Sequence, residues 1–418
     1  MSVEVTRLSN GLTVATDSMT GVESATVGVW VAAGARHEPA EVNGIAHLLE
    51  HMAFKGTQRR SAKQIAEEIE AVGGYLNAYT TREHTAYYAR VLAGDVPVAV
   101  DILADILQHS SFDEAELERE RAVVLQEIGQ AEDTPDDIIF DHLQLTAFPD
   151  QALGRPILGS PEIVRRLDEG ALRSYLAQRY GARSMILVGA GRVKHGALVK
   201  LAERCFSDLP REASVSREPA RFVGGERREG KELEQVHVVL GFSGIAHTDP
   251  DYYAASIYST LIGGGMSSRL FQEVREKRGL VYSVYSFGHS YADGGLFGIY
   301  AGTGAEQADE TARVIAEELA RARDGVEDQE LNRARAQVKA GLLMGRESTG
   351  ARAEQLAQQL MIFGRPLPVA EIVTELEAVD GPRLARVARR LTAAPAAFAA
   401  LGPIGGLASL DELLRPLA

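Results

Sequence analysis

Short apolar runs alternate with amphipathic segments along most of the chain. The apolar runs are rich in β-branched residues, which favour strands, whereas the amphipathic segments repeat their apolar positions with the period of a helix. The predicted strands are 25–33, 85–91 and 184–193. The predicted helices are 43–55, 61–72, 95–109, 113–130 and 195–209. This mixture of elements predicts an α+β protein.

Residues 210–230, PREASVSREPARFVGGERREG, interrupt this pattern. Proline, glycine, serine and charged residues dominate the segment, and its apolar positions follow neither a helical nor a strand period. We therefore predict a linker here, which joins an N-terminal half, residues 1–209, to a C-terminal half, residues 231–418.

The C-terminal half repeats features of the N-terminal half in the same order. The segment ELNRARAQV at 330–338 is identical in six of nine positions to ELERERAVV at 116–124, which lies 214 residues earlier. The strand-like run 236–243 follows the first predicted strand at an offset of 210, and the segment after Asp380 follows the one after Asp168 at an offset of 212. This nearly constant offset predicts two homologous α/β-sandwich halves that arose by internal duplication.

Charge and cysteine content narrow the possible partners. The chain has 44 basic and 58 acidic residues, a net charge of −14, and one cysteine, Cys205, which excludes an internal disulfide. Phosphate binding requires a basic surface, so we expect no nucleic-acid partner. An acidic surface attracts basic partners, and the alternative interpretation is that the charge serves only solubility. No run approaches about 18 consecutive apolar residues and the first residues form no apolar signal segment, so we expect no membrane span and a cytoplasmic location.

His47, Glu50 and His51 form the pattern H-x-x-E-H within GIAHLLEHMAFKGT. On a helix, residues i and i+4 share a face, so both imidazoles can reach one metal ion, and Glu50 lies on the same face. The pattern is the inverse of the H-E-x-x-H motif of zinc peptidases, in which the glutamate acts as general base on a metal-bound water. The alternative interpretation is a helix that carries two surface histidines and a glutamate by chance.

A catalytic zinc ion usually has three protein ligands, and the predicted helix 113–130 offers two candidates for the third. Glu120 and Glu127 are seven residues apart on one helix face, so one can bind the metal while the other supports a histidine. At the offset of 214 they correspond to Ala334 and Gly341, and the C-terminal half has no H-x-x-E-H pattern. The halves share a scaffold but differ where the metal chemistry is predicted.

These motifs resemble those of the pitrilysin-type inverzincin peptidases, in particular the branch of mitochondrial processing peptidase β subunits and their bacterial relatives. The resemblance extends over nearly the whole chain, through GIAHLLEHMAFKGT, GGYLNAYTTREHTAYYARV, ERERAVVLQEI, FDHLQLTAFPDQALGRPILG and GGGMSSRLFQEVREKRGLVYSV. It implies one zinc ion per chain with His47, His51 and Glu127 as ligands. It also implies that Glu50 is the general base and that Glu120 supports the ligands from behind.

The resemblance further implies residues that contact the substrate. Asn77 and Ala78 match an edge strand that pairs with an extended peptide. Arg275 and Tyr282 match an Arg/Tyr pair that acts on the substrate and its tetrahedral intermediate. Judged from the residues alone, the same pair is an arginine on a charged helix and an ordinary strand tyrosine.

Three more positions match substrate contacts of processing peptidases. Phe54 matches an apolar residue beside the scissile bond, and Asp137 and Asp141 match an acidic pair that holds a substrate arginine. The first acid of that pair is a glutamate in the family, so the shorter aspartate here weakens the expectation of a strict arginine preference. The alternative interpretation of both aspartates is a solvated helix face.

Together these observations predict a zinc metalloendopeptidase that cleaves short or unfolded peptides, with basic, presequence-like peptides as a possible class. Two chains of this family form a clamshell around a chamber, so we expect a dimer, either of two copies or with a related chain. One alternative is a catalytic subunit that requires a distinct partner. The other is a non-catalytic core subunit, which typically lacks the metal ligands that this chain retains.

Overall fold

The computed structural model describes residues 2–213 and 217–418. Its strands are β1 Ser2–Arg7, β2 Thr13–Ser18, β3 Ser24–Val31, β4 Tyr75–Thr80, β5 Thr85–Leu92, β6 Met185–Gly191, β7 Gly225–Gly230, β8 Val236–Ser243, β9 Val281–Ser290, β10 Gly295–Thr303 and β11 Ala396–Gly402. Its α-helices are α1 Ile45–Ala53, α2 Ala62–Ala71, α3 Val96–Gln108, α4 Glu114–Glu132, α5 Pro135–Ala147, α6 Pro161–Val164, α7 Glu169–Arg179, α8 His195–Cys205, α9 Tyr252–Gly263, α10 Ala308–Asp324, α11 Asp328–Gly345, α12 Thr349–Phe363, α13 Val369–Glu377, α14 Gly381–Leu391 and α15 Leu410–Leu413. A π-helical segment, Phe271–Glu276, precedes β9. Within this described part of the chain, no helix is both long enough and apolar enough to cross a membrane.

The elements form two compact units, and neither unit is one continuous segment of chain. The first unit consists of Met1–Gly129, Arg155–Glu218 and Met344–Pro366. The second unit consists of Gln130–Gly154, Pro219–Leu343 and Leu367–Ala418. Helix α5, from the N-terminal half of the sequence, therefore belongs to the second unit, and α12, from the C-terminal half, belongs to the first. The division predicted at 210–230 is contiguous and does not include this exchange of two helices between the halves. The end of that predicted linker is also a strand, β7.

The first unit is built on a six-stranded mixed sheet with the order β1-β2-β6-β3-β5-β4. Only β2 and β6 are parallel neighbours. One face of the sheet packs against α1, α2, α3, α4, α7 and α8, and the other face packs against α12 around the buried Trp30. Strand β4 is an edge strand, because β5 is its single partner in the sheet.

The second unit repeats this arrangement with five strands in the order β7-β11-β8-β10-β9. Strands β7 and β11 are the parallel pair, and β9 is the edge strand that corresponds to β4. Helices α9, α10 and α14 cover one face, and α5 covers the other. Both sheets thus have one topology once β1 is set aside, and the predicted α+β fold with two homologous halves is confirmed.

Helix starts agree closely with the predicted duplication. Helix α4 begins at Glu114 and α11 at Asp328, 214 residues later. Asp168 and Asp380 are both N-caps, and each side chain accepts a hydrogen bond from the backbone N–H three residues on. Ser61 forms the predicted capping box at the start of α2.

The predicted offset of 210 for the first strand is wrong by one residue. Leu187 of β6 pairs with Val29 of β3, and Phe398 of β11 pairs with Leu240 of β8; all four side chains face the larger helix layer of their unit. The two strand pairs are therefore related by an offset of 211. Side chains alternate along a strand, so a shift of one residue aligns positions that face opposite sides of the sheet.

Candidate metal centre

Helix α1, which carries the H-x-x-E-H pattern, is held at its N-terminus by a buried carboxylate. Gly44 precedes it with a φ of 97°, a left-handed conformation that glycine adopts without strain. One oxygen of Glu38 accepts hydrogen bonds from Gly44 N–H and the Asn43 side chain, and the other accepts from Ala46 N–H, each at 2.8 Å. N–H groups in the first turn of a helix have no intrahelical partner, so Glu38 satisfies them.

The apolar side of α1 decides which way the motif residues point. The side chains buried in the core are Ile45, Leu48, Leu49 and Met52. Because these four side chains face the core, the helical period directs His47, Glu50 and His51 away from it, and all three are partly exposed.

His47, His51 and Glu127 come together although Glu127 lies on α4. Oε2 of Glu127 is 3.6 Å from Nε2 of His47 and 3.6 Å from Nε2 of His51. Two ligands of one tetrahedral zinc ion, each roughly 2.0–2.1 Å from it, are separated by about 3.3 Å. Among the described residues this is the group of His, Cys, Asp and Glu donors whose ligand atoms all lie within 4.8 Å of one another.

The donor set suits zinc in chemistry as well as in spacing. Burial and, second, the neighbouring His51 lower the pKa of His47 to about 4, so its imidazole is neutral at physiological pH, as ligation requires. Two imidazole nitrogens and a carboxylate oxygen are a typical three-ligand set of catalytic zinc sites. The residues present therefore fit a zinc ion.

Glu120 supports this set from the far side of His51. Its Oε2 lies 3.0 Å from Nδ1 of His51, and its Oε1 lies 2.8 Å from Nζ of Lys55. A hydrogen bond from Nδ1–H to a carboxylate leaves Nε2 as the lone-pair nitrogen, which is the nitrogen directed at Glu127. Glu120 thus lies beside Nδ1 of His51, whereas Glu127 lies beside the Nε2 atoms of both histidines.

Glu50 lies next to the cluster and is held by a strand residue. The hydroxyl of Thr80 donates a hydrogen bond of 2.6 Å to Glu50 Oε2. Burial raises the pKa of Glu50, while the hydrogen bond from Thr80 and the charge of His51 act in the opposite direction. A carboxylate with a raised pKa beside a metal-binding set is suited to accept and return a proton.

The predicted peptide-pairing residues lie on the edge strand that contains Thr80. Asn77 and Ala78 pair with Tyr88 and Tyr87 of β5, and the opposite backbone edge of β4 has no strand partner in the described chain. The exposed Asn77 side chain contacts the hydroxyl of Tyr75 at 2.6 Å. Their role in binding a peptide stays a prediction.

Phe54 ends α1 and is partly buried against the core of the first unit. Its ring centroid is 6.4 Å from that of Tyr87. This packing is what an ordinary apolar residue at a helix end shows, so a contact with substrate stays a prediction.

The other four predicted residues belong to the second unit. The guanidinium carbon of Arg275 lies 5.0 Å from the ring centroid of Tyr282, whose side chain is 77% exposed. Asp137 and Asp141 lie on α5, where Asp137 is exposed and Asp141 is half-buried. The Arg/Tyr pair is therefore a real contact, and its action on a substrate stays a prediction.

Sequence reasoning missed two residues that support the centre. Thr80 could have been found from the alternation along YLNAYT, which places every second side chain of this strand on the face that α1 covers. Glu38 precedes His47 by nine residues across an irregular loop, and no periodic signal connects the two.

The fold and the centre together match the architecture of a metallopeptidase family, with a candidate metal site in one half and no counterpart of its residues in the other. Residues 13–161 match the sequence profile of the insulinase family, peptidase family M16. Residues 166–338 match the profile described as the peptidase M16 inactive domain. The chain belongs to peptidase family M16.

Relatives of nearly the same length agree with this assignment. An uncharacterized zinc protease of Rickettsia bellii is 39% identical, with 96% of this chain and 97% of the relative aligned. A mitochondrial-processing peptidase subunit beta of Lentinula edodes is 41% identical, with 99% of this chain and 93% of the relative aligned. The resemblance to this family is confirmed.

A solved structure shows the same fold over the whole chain. A chain of complex III2 from Candida albicans, with Inz-5 bound, superposes with a TM-score of 0.89 at 22% identity, and 100% of both chains is covered. At this identity the similarity establishes the fold and does not extend to function.

Proposed function

We propose that the chain is a zinc-dependent endopeptidase that cleaves short or unfolded peptides. The observation that carries the proposal is the convergence of His47, His51 and Glu127, with Glu120 behind His51 and Glu50 beside the cluster. Such a peptidase needs three metal ligands, a residue that supports a ligand and a general base. The two imidazoles and the carboxylate of Glu127 supply the ligands, Glu120 supplies the support, and Glu50 supplies the base.

His47, His51 and Glu127 would hold the zinc ion, which when bound supplies a Lewis acid that polarises the scissile carbonyl. Glu50 takes a proton from the attacking water as the oxygen–carbon bond forms. It then returns this proton to the leaving amine as the carbon–nitrogen bond breaks. Thr80 keeps one oxygen of Glu50 in place, so the other remains available for the proton.

The substrate class follows from an open strand edge and from charge. An extended peptide can add to β4 through main-chain hydrogen bonds, which demand an unfolded segment but no particular sequence. The net charge of −14 favours basic peptides. Within the proposal, Arg275 and Tyr282 act on the substrate, and Asp137 and Asp141 hold an arginine.

We further propose that the working enzyme contains two chains. The Lentinula edodes relative is by name a subunit, which supports assembly with a second chain. A second copy is the simplest partner, and a distinct related chain is the alternative. Light scattering on the purified 45.1 kDa chain distinguishes a dimer of about twice that mass from a monomer that awaits a partner.

The direct test is cleavage of a fluorogenic arginine-containing peptide by the zinc-loaded chain, beside the variant Glu50→Gln. Loss of a general base typically costs about 10²–10⁴-fold in rate, so we expect turnover to fall by at least roughly 100-fold. Zinc content should remain unchanged, since Glu50 is outside the ligand set.

Equal cleavage by both proteins would remove Glu50 as the base. If neither protein cleaves the peptide, a related subunit is added to the wild type. This distinguishes an enzyme that requires two different subunits from a non-catalytic scaffold. Cleavage that appears only with the partner supports the former, and continued inactivity supports the latter.

A further inference from the structure

The last two residues of edge strand β4 point to opposite faces of the first sheet. Thr80 faces α1, where its hydroxyl donates to Glu50. Tyr79 faces α12, because successive side chains of a strand alternate. The end of β4 therefore connects the proposed general base on one face with a helix on the other face.

On the α12 side, Tyr79 meets a carboxylate that lies far away in sequence. The Tyr79 hydroxyl donates a hydrogen bond to Glu354 Oε2, and Nε1 of Trp30 donates to the same oxygen at 3.0 Å. The imidazole of His84 lies 3.7 Å from the other oxygen, to which Gln358 donates at 2.7 Å. Both oxygens of Glu354 are thus engaged.

The surroundings favour an ionised Glu354. Burial opposes ionisation, but the nearby His84 imidazole and the hydrogen bonds from Tyr79 and Trp30 outweigh it and hold the pKa of Glu354 below its ordinary value. Trp30, the single tryptophan of the chain, is 1% exposed and lies at the centre of the α12 interface. A charge-assisted hydrogen bond in this environment resists displacement.

Helix α12 is itself anchored to the sheet at its start. The hydroxyls of Thr349 and Thr26 lie 2.9 Å apart in a buried contact. Asp17 of β2 accepts hydrogen bonds from Arg346 at 3.2 Å and from Arg352 at 3.1 Å. Glu354 therefore lies on a helix that is held to the sheet by side-chain hydrogen bonds, and Tyr79 donates a hydrogen bond to Glu354.

We propose that Glu354 is a positioning residue for the peptidase centre, which acts through Tyr79 and Thr80. By holding Tyr79, it fixes the end of β4, so that Thr80 keeps Glu50 oriented and the open edge of the strand is aligned for an extended peptide. The inference rests on the proposed peptidase function, and it assigns to α12, an element from the C-terminal half of the sequence, a part in the chemistry of the first unit.

The first test compares Glu354→Ala, Thr80→Val and the double variant. Misplacement of a reacting group by about 1 Å can cost 10²-fold, so we expect Glu354→Ala to lower kcat/KM by roughly 10- to 100-fold with zinc content unchanged. Because both residues act through one element, the kcat/KM of the double variant should be about the same as that of the less active single variant.

Two further variants separate positioning from general stability. Glu354→Gln keeps an amide oxygen that can accept from both Tyr79 and Trp30, so we expect it to recover most of the activity. Glu347→Ala removes an exposed carboxylate shortly before α12, and we expect kcat/KM within twofold of wild type. Losses for Glu354→Ala and Thr80→Val that multiply in the double variant would overturn the proposal, as would a Glu354→Ala variant with wild-type kcat/KM.

Trp30 provides a readout that does not require turnover. In the Glu50→Gln background, an arginine-containing extended peptide should change the emission of Trp30, and Glu354→Ala should abolish this change. A peptide whose backbone nitrogens are methylated cannot pair with a strand edge and should have little effect.

The two readouts distinguish failure of this inference from failure of the proposed function. A wild type that stays inactive even after a related subunit is added, but whose Trp30 emission still responds to peptide through Glu354, would end the peptidase proposal and leave Glu354 as a positioning residue for peptide binding. An active wild type whose emission responds equally with and without Glu354 would overturn the inference alone.

Discussion

The two units of this protein share a scaffold, and among the described residues only the first unit has a candidate metal-binding set. Both sheets follow one strand order, and helices α1 and α9 follow the central strands β3 and β8 in the same way. Yet α1 carries two histidines and a glutamate toward α4, whereas α9, YYAASIYSTLIG, carries none of these. The scaffold therefore does not need the metal residues, and their presence in one unit indicates a function.

The partner helices show the same contrast. On α4, Glu120 and Glu127 face the histidines of α1. On α11, the equivalent positions are Ala334, which is buried, and Gly341, which is exposed. Burying a carboxylate costs desolvation free energy, which a buried alanine avoids. An alanine is therefore expected at this position in a helix that does not contribute to a metal site.

The two helix starts are held by carboxylates in different environments. Glu38 caps α1 from within the core, whereas Asp249, which precedes α9, is partly buried and pairs with the exposed Arg390 at 2.6 Å. Burial raises the pKa of Glu38 to about 7. Burial also acts on Asp249, but hydrogen bonds from Arg390 and the Asp251 backbone outweigh it, so the pKa of Asp249 is lowered.

The largest expected effect sets Glu127 against its counterpart Gly341. Glu127→Ala removes a proposed metal ligand. Because loss of a residue that only supports a ligand typically lowers metal affinity by about 10–100-fold, we expect zinc affinity here to fall by more than about 100-fold. Gly341→Ala should leave zinc affinity unchanged and stabilise α11 by about 1 kcal/mol. Zinc titration and thermal unfolding check both variants. Equal zinc affinity for Glu127→Ala and wild type would remove Glu127 from the ligand set.

The next effect concerns the supporting glutamate that the second unit lacks. Glu120→Gln weakens the hydrogen bond that orients His51, and we expect zinc affinity or turnover to fall by about 10–100-fold. Glu118→Gln is the matched control, since that carboxylate is exposed on the same helix and pairs only with Arg121 among the described ion pairs. A similar loss in both variants would show that α4 tolerates no change rather than that Glu120 has a specific role.

The contrast between Glu38 and Asp249 predicts stabilities that depend on pH in opposite directions. The folded pKa of Glu38, about 7, exceeds its ordinary value of 4.5, so its contribution is complete below pH 4.5 and is lost as pH rises through 7. The loss amounts to roughly 3 kcal/mol. The contribution of Asp249, whose pKa is lowered, is present above its ordinary value of 3.8 and is lost in acid.

Urea unfolding between pH 4.5 and 8 measures this difference. Relative to Glu38→Gln, the wild type should lose free energy of unfolding as the pH rises across this range. Asp249→Asn should leave that dependence unaltered. Parallel pH profiles for wild type and Glu38→Gln would contradict a buried carboxyl group that titrates near neutrality.

The smallest expected effect concerns α5 of the second unit. Asp137→Asn together with Asp141→Asn should lower kcat/KM for arginine-containing peptides by roughly fivefold, since exposed ion pairs contribute at most about 1 kcal/mol. Peptides without arginine should be affected little. Asp133→Asn, an exposed acid just before α5, is the control. Equal losses on both peptide classes would argue against an arginine contact.

The sequence predicted the local parts of the centre well. His47, Glu50 and His51 lie within one helical segment, so their common face follows from the helical period alone. The same period relates Glu120 to Glu127 on α4. What it left open is which glutamate approaches the metal position, because that depends on how α4 crosses α1. The structure places Glu127 there and Glu120 at Nδ1 of His51.

The strand register and the unit boundaries were harder to predict. The first strand is apolar on both faces, since helices cover both sides of the sheet, so its sequence lacks the alternation that would reveal a shift of one residue. The exchange of α5 and α12 has a similar cause. An amphipathic pattern shows that a helix buries one face, but it does not show which sheet covers that face.

The sequence by itself therefore determined the duplication, most helices, the zinc-binding pattern and the family, because these depend on spacing along the chain. Tertiary structure alone decided that Glu38 caps α1, that Thr80 holds Glu50 and that Glu354 holds Tyr79. These contacts join residues from separate elements. Their geometry depends on how sheets and helices pack in three dimensions, and no period in the sequence records that packing.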